Sequence, residues 1–217
     1  LMKEDTYEDD SLVQKPGMLE VSHVSFVYPG REKIYEDFNL SAFPGQIIGV
    51  TGAVACGKST LGKTFLCEYP YEGRIRFHGK ELSEMTKAER TGMIGYLGHD
   101  PELFNDSVRN NILLGDDDDP EKYLKAVCFD GEVEEGMDTI VGNGGIRLSG
   151  GQAQRLALAR TLCHKRPVLI LDDPFSALDR ETEEEVFANL RKFTADSIVI
   201  LLSHRLYLFP EMDQVLW

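Results

Sequence analysis

An α/β fold with a mainly parallel sheet is predicted for this 217-residue chain by three observations. Short continuous apolar runs recur at 46–51, 168–171 and 197–202, the pattern of strands buried on both faces. Segments of helical period stand between or beside them, at 59–69, 148–164 and 182–193. An acidic stretch at 81–140 interrupts the alternation and reads as a helical lobe inserted between strands. The length suits one compact domain with an insertion, long enough to bury a core without disulfide or metal.

Each element has a local reason. Residues 1–17 are polar and acidic, end in Lys15-Pro16-Gly17 and read as a linker or tail. Residues 18–28 alternate and are rich in Val and Phe, so a strand is expected, broken by Pro29-Gly30. A second strand at 34–43 closes on Pro44-Gly45, and 46–51 is the third. The helix at 59–69 sets Leu61, Phe65 and Leu66 on one side and stops at Pro70. Within 81–140 there are two weak helical patterns, and the acidic run 116–119 before Pro120 reads as a solvated loop. The helix at 148–164 carries Leu156, Leu158, Ala159 and Leu162. A strand at 168–171, an amphipathic helix at 182–193, a strand at 197–202 and a short strand at 214–217 complete the chain.

Charge and composition exclude several functions. Lys and Arg number 23 against 37 Asp and Glu, a net charge of −14. Such a chain is a poor nonspecific binder of nucleic acid, which is held by cations neutralising phosphate, and no nucleic-acid partner is expected. No apolar run approaches the roughly 20 residues of a spanning helix. Residues 1–12 hold five acids and no apolar core, so they are no signal peptide. Cys56, Cys67, Cys128 and Cys163 lack paired or metal-ligand spacing and read as reduced thiols.

Three motifs carry chemistry. Gly52-Ala-Val-Ala-Cys-Gly57-Lys58-Ser59 follows an apolar strand and opens a helix, the setting of a phosphate-binding loop. Backbone N–H groups of Gly52, Ala53, Val54, Ala55, Cys56 and Gly57, and of Lys58, Ser59 and Thr60 at the helix start, are expected to face phosphate oxygens. Lys58 is expected to bridge the β- and γ-phosphates of a nucleotide, and Ser59 to offer its hydroxyl to Mg²⁺, a hard ion that takes oxygen. Leu169-Ile-Leu-Asp172-Asp173-Pro174 ends a buried strand on two acids, at the carboxyl edge where α/β proteins bind ligands. Asp172 is expected to hold Mg²⁺ through water, and Asp173 to face the γ-phosphate and orient the attacking water. Leu148-Ser-Gly-Gly-Gln152 is a Ser-capped helix start with two glycines, able to take an anion.

In this order the motifs resemble the nucleotide-binding domain of an ABC transporter, most like the exporter type, over residues 18–217. Leu148–Gln152 resembles the family signature, and the run from Ala153 to Arg160 continues it in family style. Ser176-Ala-Leu-Asp179 resembles the D-loop, His204 the switch histidine and Tyr28 the adenine-stacking aromatic. The segment 101–108 resembles the exporter segment that meets the membrane domain's coupling helix, and 141–145 the loop ahead of the signature.

The resemblance implies an ABC ATPase core of the phosphate-loop type. It has a mainly parallel sheet, an antiparallel β subdomain and an inserted α-helical subdomain. The implied parts are a core at 18–98 and 165–217 and a helical subdomain at about 99–164. It implies ATP and Mg²⁺, and head-to-tail pairing with a second such domain. Ser149, Gly151, Gln152 and Asp179 would then serve the partner's nucleotide, while Lys58, Asp173 and His204 act on this chain's own. It also implies coupling to transmembrane domains at the cytoplasmic face of a membrane, and a domain excised from a longer transporter polypeptide.

Three positions depart from the family pattern. Asp173 stands where Glu is usual, setting the carboxylate back by roughly 1.5 Å. His99 stands at the Q-loop glutamine, and an imidazole is a poorer contact for Mg²⁺. Ala55 replaces the middle glycine of the phosphate loop. Asp173 and His99 weaken the chain's own site while the lent signature is intact, so firm ATP binding with slow hydrolysis is expected, as in the slow half of a heterodimeric exporter. The alternative is an ATP-gated dimerisation or regulatory module without turnover.

Overall fold

The computed structural model describes residues 17–30, 33–52, 57–133, 136–142 and 144–216. Its first part contains β1 (Leu19–Val27), β2 (Lys33–Ala42), β3 (Ile47–Val50), α1 (Lys58–Phe65), β4 (Glu72–Phe77) and β5 (Lys80–Glu81). Then come α2 (Lys87–Met93), β6 (Ile94–Leu97), β7 (Asp106–Ser107), α3 (Val108–Leu113), α4 (Glu121–Ala126), β8 (Ile140–Val141) and α5 (Gly150–Cys163). The chain closes with β9 (Val168–Asp172), α6 (Arg180–Phe193), β10 (Ile198–Leu202) and β11 (Gln214–Leu216).

Five strands form a parallel sheet in the order β11-β3-β10-β9-β6, and four form an antiparallel sheet in the order β2-β1-β4-β5. β9 and β10 are buried throughout. Their alternation sends Leu169, Leu171, Val199 and Leu201 to one face, where they pack with Val108, Ile112, Leu156 and Leu158 of the helical region. Val168, Ile170, Ile198, Ile200 and Leu202 go to the other face, against Leu61 and Phe65 of α1 and Val21, Val24 and Ile75 of the antiparallel sheet. The continuous apolar runs in the sequence thus reflect two cores sharing one sheet.

Several boundaries differ from expectation for physical reasons. α1 ends at Phe65, not 69, because Cys67 takes a left-handed backbone (φ 54). The N–H of Cys67 donates to Thr64 O (2.9 Å) and that of Glu68 to Lys63 O (3.2 Å), closing a Schellman motif. α6 begins at Arg180, two residues early, because Asp179 caps it. Among its described residues the stretch 81–140 holds three short α-helices in place of two, and also β6, which pairs with β9 at the sheet edge. Of the expected tail only Gly17 is described; residues 1–16, 53–56, Asn143 and Trp217 lie outside the described residues.

Candidate functional site

The parallel strands end nearly in line. Leu202 of β10 pairs with Val50 of β3 on one side and Asp172 of β9 on the other, and Leu97 of β6 pairs with Leu171. The ladder continues just beyond: Ser203 N–H donates to Val50 O (3.0 Å), Asp173 N–H to Leu202 O (2.8 Å) and Thr51 N–H to Leu216 O (2.9 Å). The phosphate-loop residues, both acids, His204 and His99 therefore leave one carboxyl edge, where ligands bind in parallel α/β sheets.

At β3, Gly52 follows Thr51, and Ala53, Val54, Ala55 and Cys56 lie outside the described residues. Gly57 resumes the chain as the left-handed N-cap of α1 (φ 97). A Cβ there would sit 2.0 Å from Ile34 Cγ2, so only glycine fits. Lys58 folds back and donates to Gly52 O at 3.0 Å, which places the ammonium over the start of the loop. Ser59 and Thr60 follow in the first turn of α1. Thr60 Oγ1 shares a 3.1 Å hydrogen bond with the phenol of Tyr28, whose ring meets Phe26 (4.7 Å) and Tyr69 (5.7 Å) edge-on. A cavity of about 620 Å³ opens between β2 and this loop, lined in part by Tyr35, Thr51, Gly52, Gly57 and Lys58.

At β9, buried Asp172 accepts a hydrogen bond from Tyr96 Oη of β6 at 3.2 Å. Burial, and then the Asp172 charge, push the Tyr96 phenol far above its ordinary pKa, so it stays a donor. Asp173 adopts a left-handed backbone (φ 49), which Asp tolerates better than most residues. Its Oδ2 lies 3.1 Å from His204 Nδ1, and its Oδ1 is buried without a hydrogen-bond partner. His99 is exposed; its backbone carbonyl, rather than its imidazole, enters a described contact, accepting from Gln154 at 3.4 Å.

The signature residues stand at the start of α5. Ser149 Oγ accepts from Gln152 N–H (3.2 Å), and Gln152 Oε1 accepts from Ser149 N–H (2.9 Å), a reciprocal capping box. Gln152 Nε2 also donates to Glu132 (2.8 Å), which is paired with Arg155 (2.8 Å). The Gln152 bond, the largest influence, holds the Glu132 carboxyl below its usual range against the opposing effect of burial, and Arg155 adds to the lowering. A Cβ on Gly151 would approach Ala177 O to 2.9 Å, so the helix start rests against the loop 176–179. Asp179 caps α6, accepting from Thr182 N–H at 3.0 Å. Arg205 fixes the same loop from the other side. It donates to Ser176 O (2.7 Å) and Leu178 O (3.1 Å) and pairs with fully buried Glu183, which also accepts from Tyr207 Oη.

The edge thus gathers Gly52, Lys58, Asp172, Asp173 and His204, while Ser149, Gly151 and Gln152 belong to a separate cluster with Glu132. Sequence reasoning missed Tyr96, Glu132, Gln154, Glu183 and Arg205. Gln154 left one trace: it sits four residues before Leu158, on the apolar side of its helix.

The residues suit Mg²⁺. Asp172 and Ser59 offer only oxygen. Among the described residues no cluster of three or more His, Cys, Asp and Glu could hold a metal.

The family model for ABC transporters matches residues 35–176. A probable multidrug resistance ABC transporter ATP-binding/permease protein of Bacillus subtilis is 35% identical over 94% of this chain and 36% of its own length. An ATP-dependent lipid A-core flippase of Pseudomonas syringae is 38% identical over 92% of this chain and 35% of its own length. The chain thus spans about a third of these relatives. A bacterial Atm1-family ABC exporter with ATP bound superposes with a TM-score of 0.83 at 30% identity, over 95% of this chain and 38% of that one. With its phosphate loop, paired acids and signature helix on this fold, the chain belongs to the ABC transporter family.

Proposed function

We propose that this domain is the ATP-driven motor of a membrane exporter, acting as one half of a head-to-tail pair. The observation that carries the reading is the common sheet edge holding Lys58, Asp172, Asp173 and His204. In this reading Lys58 and the N–H groups of residues 52–60 bind the phosphates, and Tyr28 stacks on adenine. Asp172 and Ser59 hold Mg²⁺, which supplies charge neutralisation on the phosphate oxygens. Asp173, held by His204, orients the attacking water, and ADP and phosphate leave. Ser149, Gly151, Gln152 and Asp179 meet the partner's nucleotide. Binding closes the pair, and hydrolysis removes the γ-phosphate contact and opens it. Residues 18–98 and 165–217 form the core and about 99–164 the moving lobe, with 1–17 as a linker.

Docking to a transmembrane domain at the cytoplasmic face of a membrane is supported by one patch. Phe104, Ile140 and Ile146 are large apolar side chains left about half exposed, and Pro101, Leu103, Ile146 and Leu148 line a cavity of about 490 Å³. No helix among the described residues is long and apolar enough to cross a membrane itself, so the spanning segments belong to another part of the polypeptide or to a partner.

The site binds ATP firmly and turns it over slowly, because the Asp173 carboxylate is one methylene short and His99 supplies no oxygen. The same two residues favour a second reading, an ATP-gated dimerisation module without turnover. ATP binding and Mg²⁺-dependent phosphate release, with Lys58→Ala as the blank, decide the matter. Binding with release above the blank supports the motor, and binding with release at the blank supports the module. No binding, or binding that Lys58→Ala leaves intact, overturns both.

A further inference from the structure

Gln154 has only 2% of its surface exposed, yet it lies on the helix that begins with the signature. Its Nε2 faces three acceptors: Asp173 O (3.0 Å), Ser176 Oγ (3.0 Å) and His99 O (3.4 Å). Its Oε1 faces two donors, Ser176 Oγ (3.3 Å) and Ala177 N–H (3.4 Å). Two backbone carbonyls on one side and a backbone N–H on the other fix which way the amide points, since a flipped group would set oxygen against oxygen. The arrangement demands a donor and an acceptor on one side chain of this length. Met, Leu or Glu cannot supply both, and Asn falls short by one methylene.

The three segments that meet this amide are the turn after β6, the turn carrying Asp173 and the loop 176–179. They are the segments that would sense the chain's own nucleotide. One turn of helix away, Ser149–Gln152 would sense the partner's. A buried amide is costly unless its hydrogen bonds are made, so this joint is either fully formed or broken, with little between.

We propose that Gln154 is a positioning residue whose carboxamide locks the signature helix to the Asp173 turn, the His99 turn and the 176–179 loop, so that nucleotide at one site is felt at the other. The proposal rests on the nucleotide reading above. Gln154 touches no reacting atom in it; it acts through Asp173 and the loop.

Hydrogen exchange of the purified protein with and without Mg²⁺-ATP tests the proposal. In the wild type, ATP slows exchange in the phosphate-loop peptide and also at 97–100, 173–178 and 148–153. In Gln154→Met the phosphate-loop protection persists, while protection at 173–178 and 148–153 falls about tenfold, as loss of one or two hydrogen bonds gives. Ser176→Ala, which removes one partner at the joint, reproduces part of the loss. The double variant is no worse than Gln154→Met, because the two share one joint. Should Gln154→Met fold poorly, Ser176→Ala carries the test alone. Protection spreading in both variants as in the wild type overturns the proposal. So does wild-type protection confined to the phosphate loop, or loss everywhere together with a lowered unfolding midpoint in both variants. ATP that slows exchange nowhere in the wild type overturns the nucleotide reading itself.

Discussion

The carboxylate of Asp173 and the imidazole of His204 stand 3.1 Å apart because β9 and β10 pair in register up to Asp172 and Leu202. The acid is mostly shielded, with 16% of its side chain exposed, and the histidine is open, at 53%. A shielded carboxylate with one oxygen held and the other free is suited to aligning a water molecule rather than to forming a permanent ion pair.

Lengthening this acid tests the distance argument. Asp173→Glu is expected to raise Mg²⁺-dependent phosphate release by on the order of 10-fold or more, and Asp173→Asn to lower it to the level of Lys58→Ala. Adding His204→Ala to the Glu variant removes most of that gain. ATP affinity, followed by titration, stays within about twofold in all the Asp173 variants, since the phosphate loop is untouched.

Tyr28 joins the nucleotide question to the antiparallel sheet. Losing the ring in Tyr28→Ala is expected to weaken ATP binding by about 10-fold, the low end for base stacking. Tyr28→Phe keeps the ring, forfeits the hydroxyl's bonds, that to Thr60 among them, and costs about threefold or less. Competition titration with a fluorescent ATP analogue separates the two; equal losses would mean that the hydroxyl, not the ring, carries the contact.

Arg205 and Glu183 make a stability prediction. Glu183 is fully buried, and Arg205 is its cation. Arg205→Ala strands that charge and is expected to cost about 3 kcal/mol in urea unfolding. Replacing both partners, with Arg205→Met and Glu183→Leu, restores at least half of the loss, because no buried charge remains. Stability recovers in the double variant while the loop 176–179 loses its two anchors, so phosphate release does not recover with it.

Glu132 predicts a pH effect on the signature. Its folded pKa lies below the unfolded value, owing chiefly to Gln152 and then to Arg155. Its contribution is therefore complete above the ordinary carboxylate range and is lost as pH falls through the depressed value. The residue is exposed, so solvent screening keeps the effect small. Melting curves of the wild type and Glu132→Gln are expected to differ near neutral pH and to converge as the pH falls below the ordinary carboxylate range. A gap that widens on acidification would assign the wrong sign.

What could be read from the sequence follows from the range of the forces involved. β9 and β10 announce themselves because burial on both faces leaves an unbroken apolar run. The phosphate loop and signature announce themselves because local backbone geometry demands their glycines and their caps. The end of α1 was misplaced because Cys67, unlike glycine, gives no warning of a left-handed backbone. β6 escaped because four residues are too few to establish a period. The contacts of Tyr96 with Asp172, Arg205 with Glu183 and Gln154 with its loops join residues far apart in the chain, and local pattern says nothing about which distant polar groups will meet.

The alignment of strand ends limits how such a domain can change over generations. Deleting or inserting one residue in β9 would slide Asp172 by about 3.3 Å and turn it to the opposite side of the sheet. Every group on that edge would then be out of step with its neighbours at once. Point substitutions such as Asp for Glu, or His for Gln, leave the spacing alone and alter only reach and chemistry. Lineages can therefore retune this edge by exchanging single side chains while the scaffold and the signature helix persist unchanged.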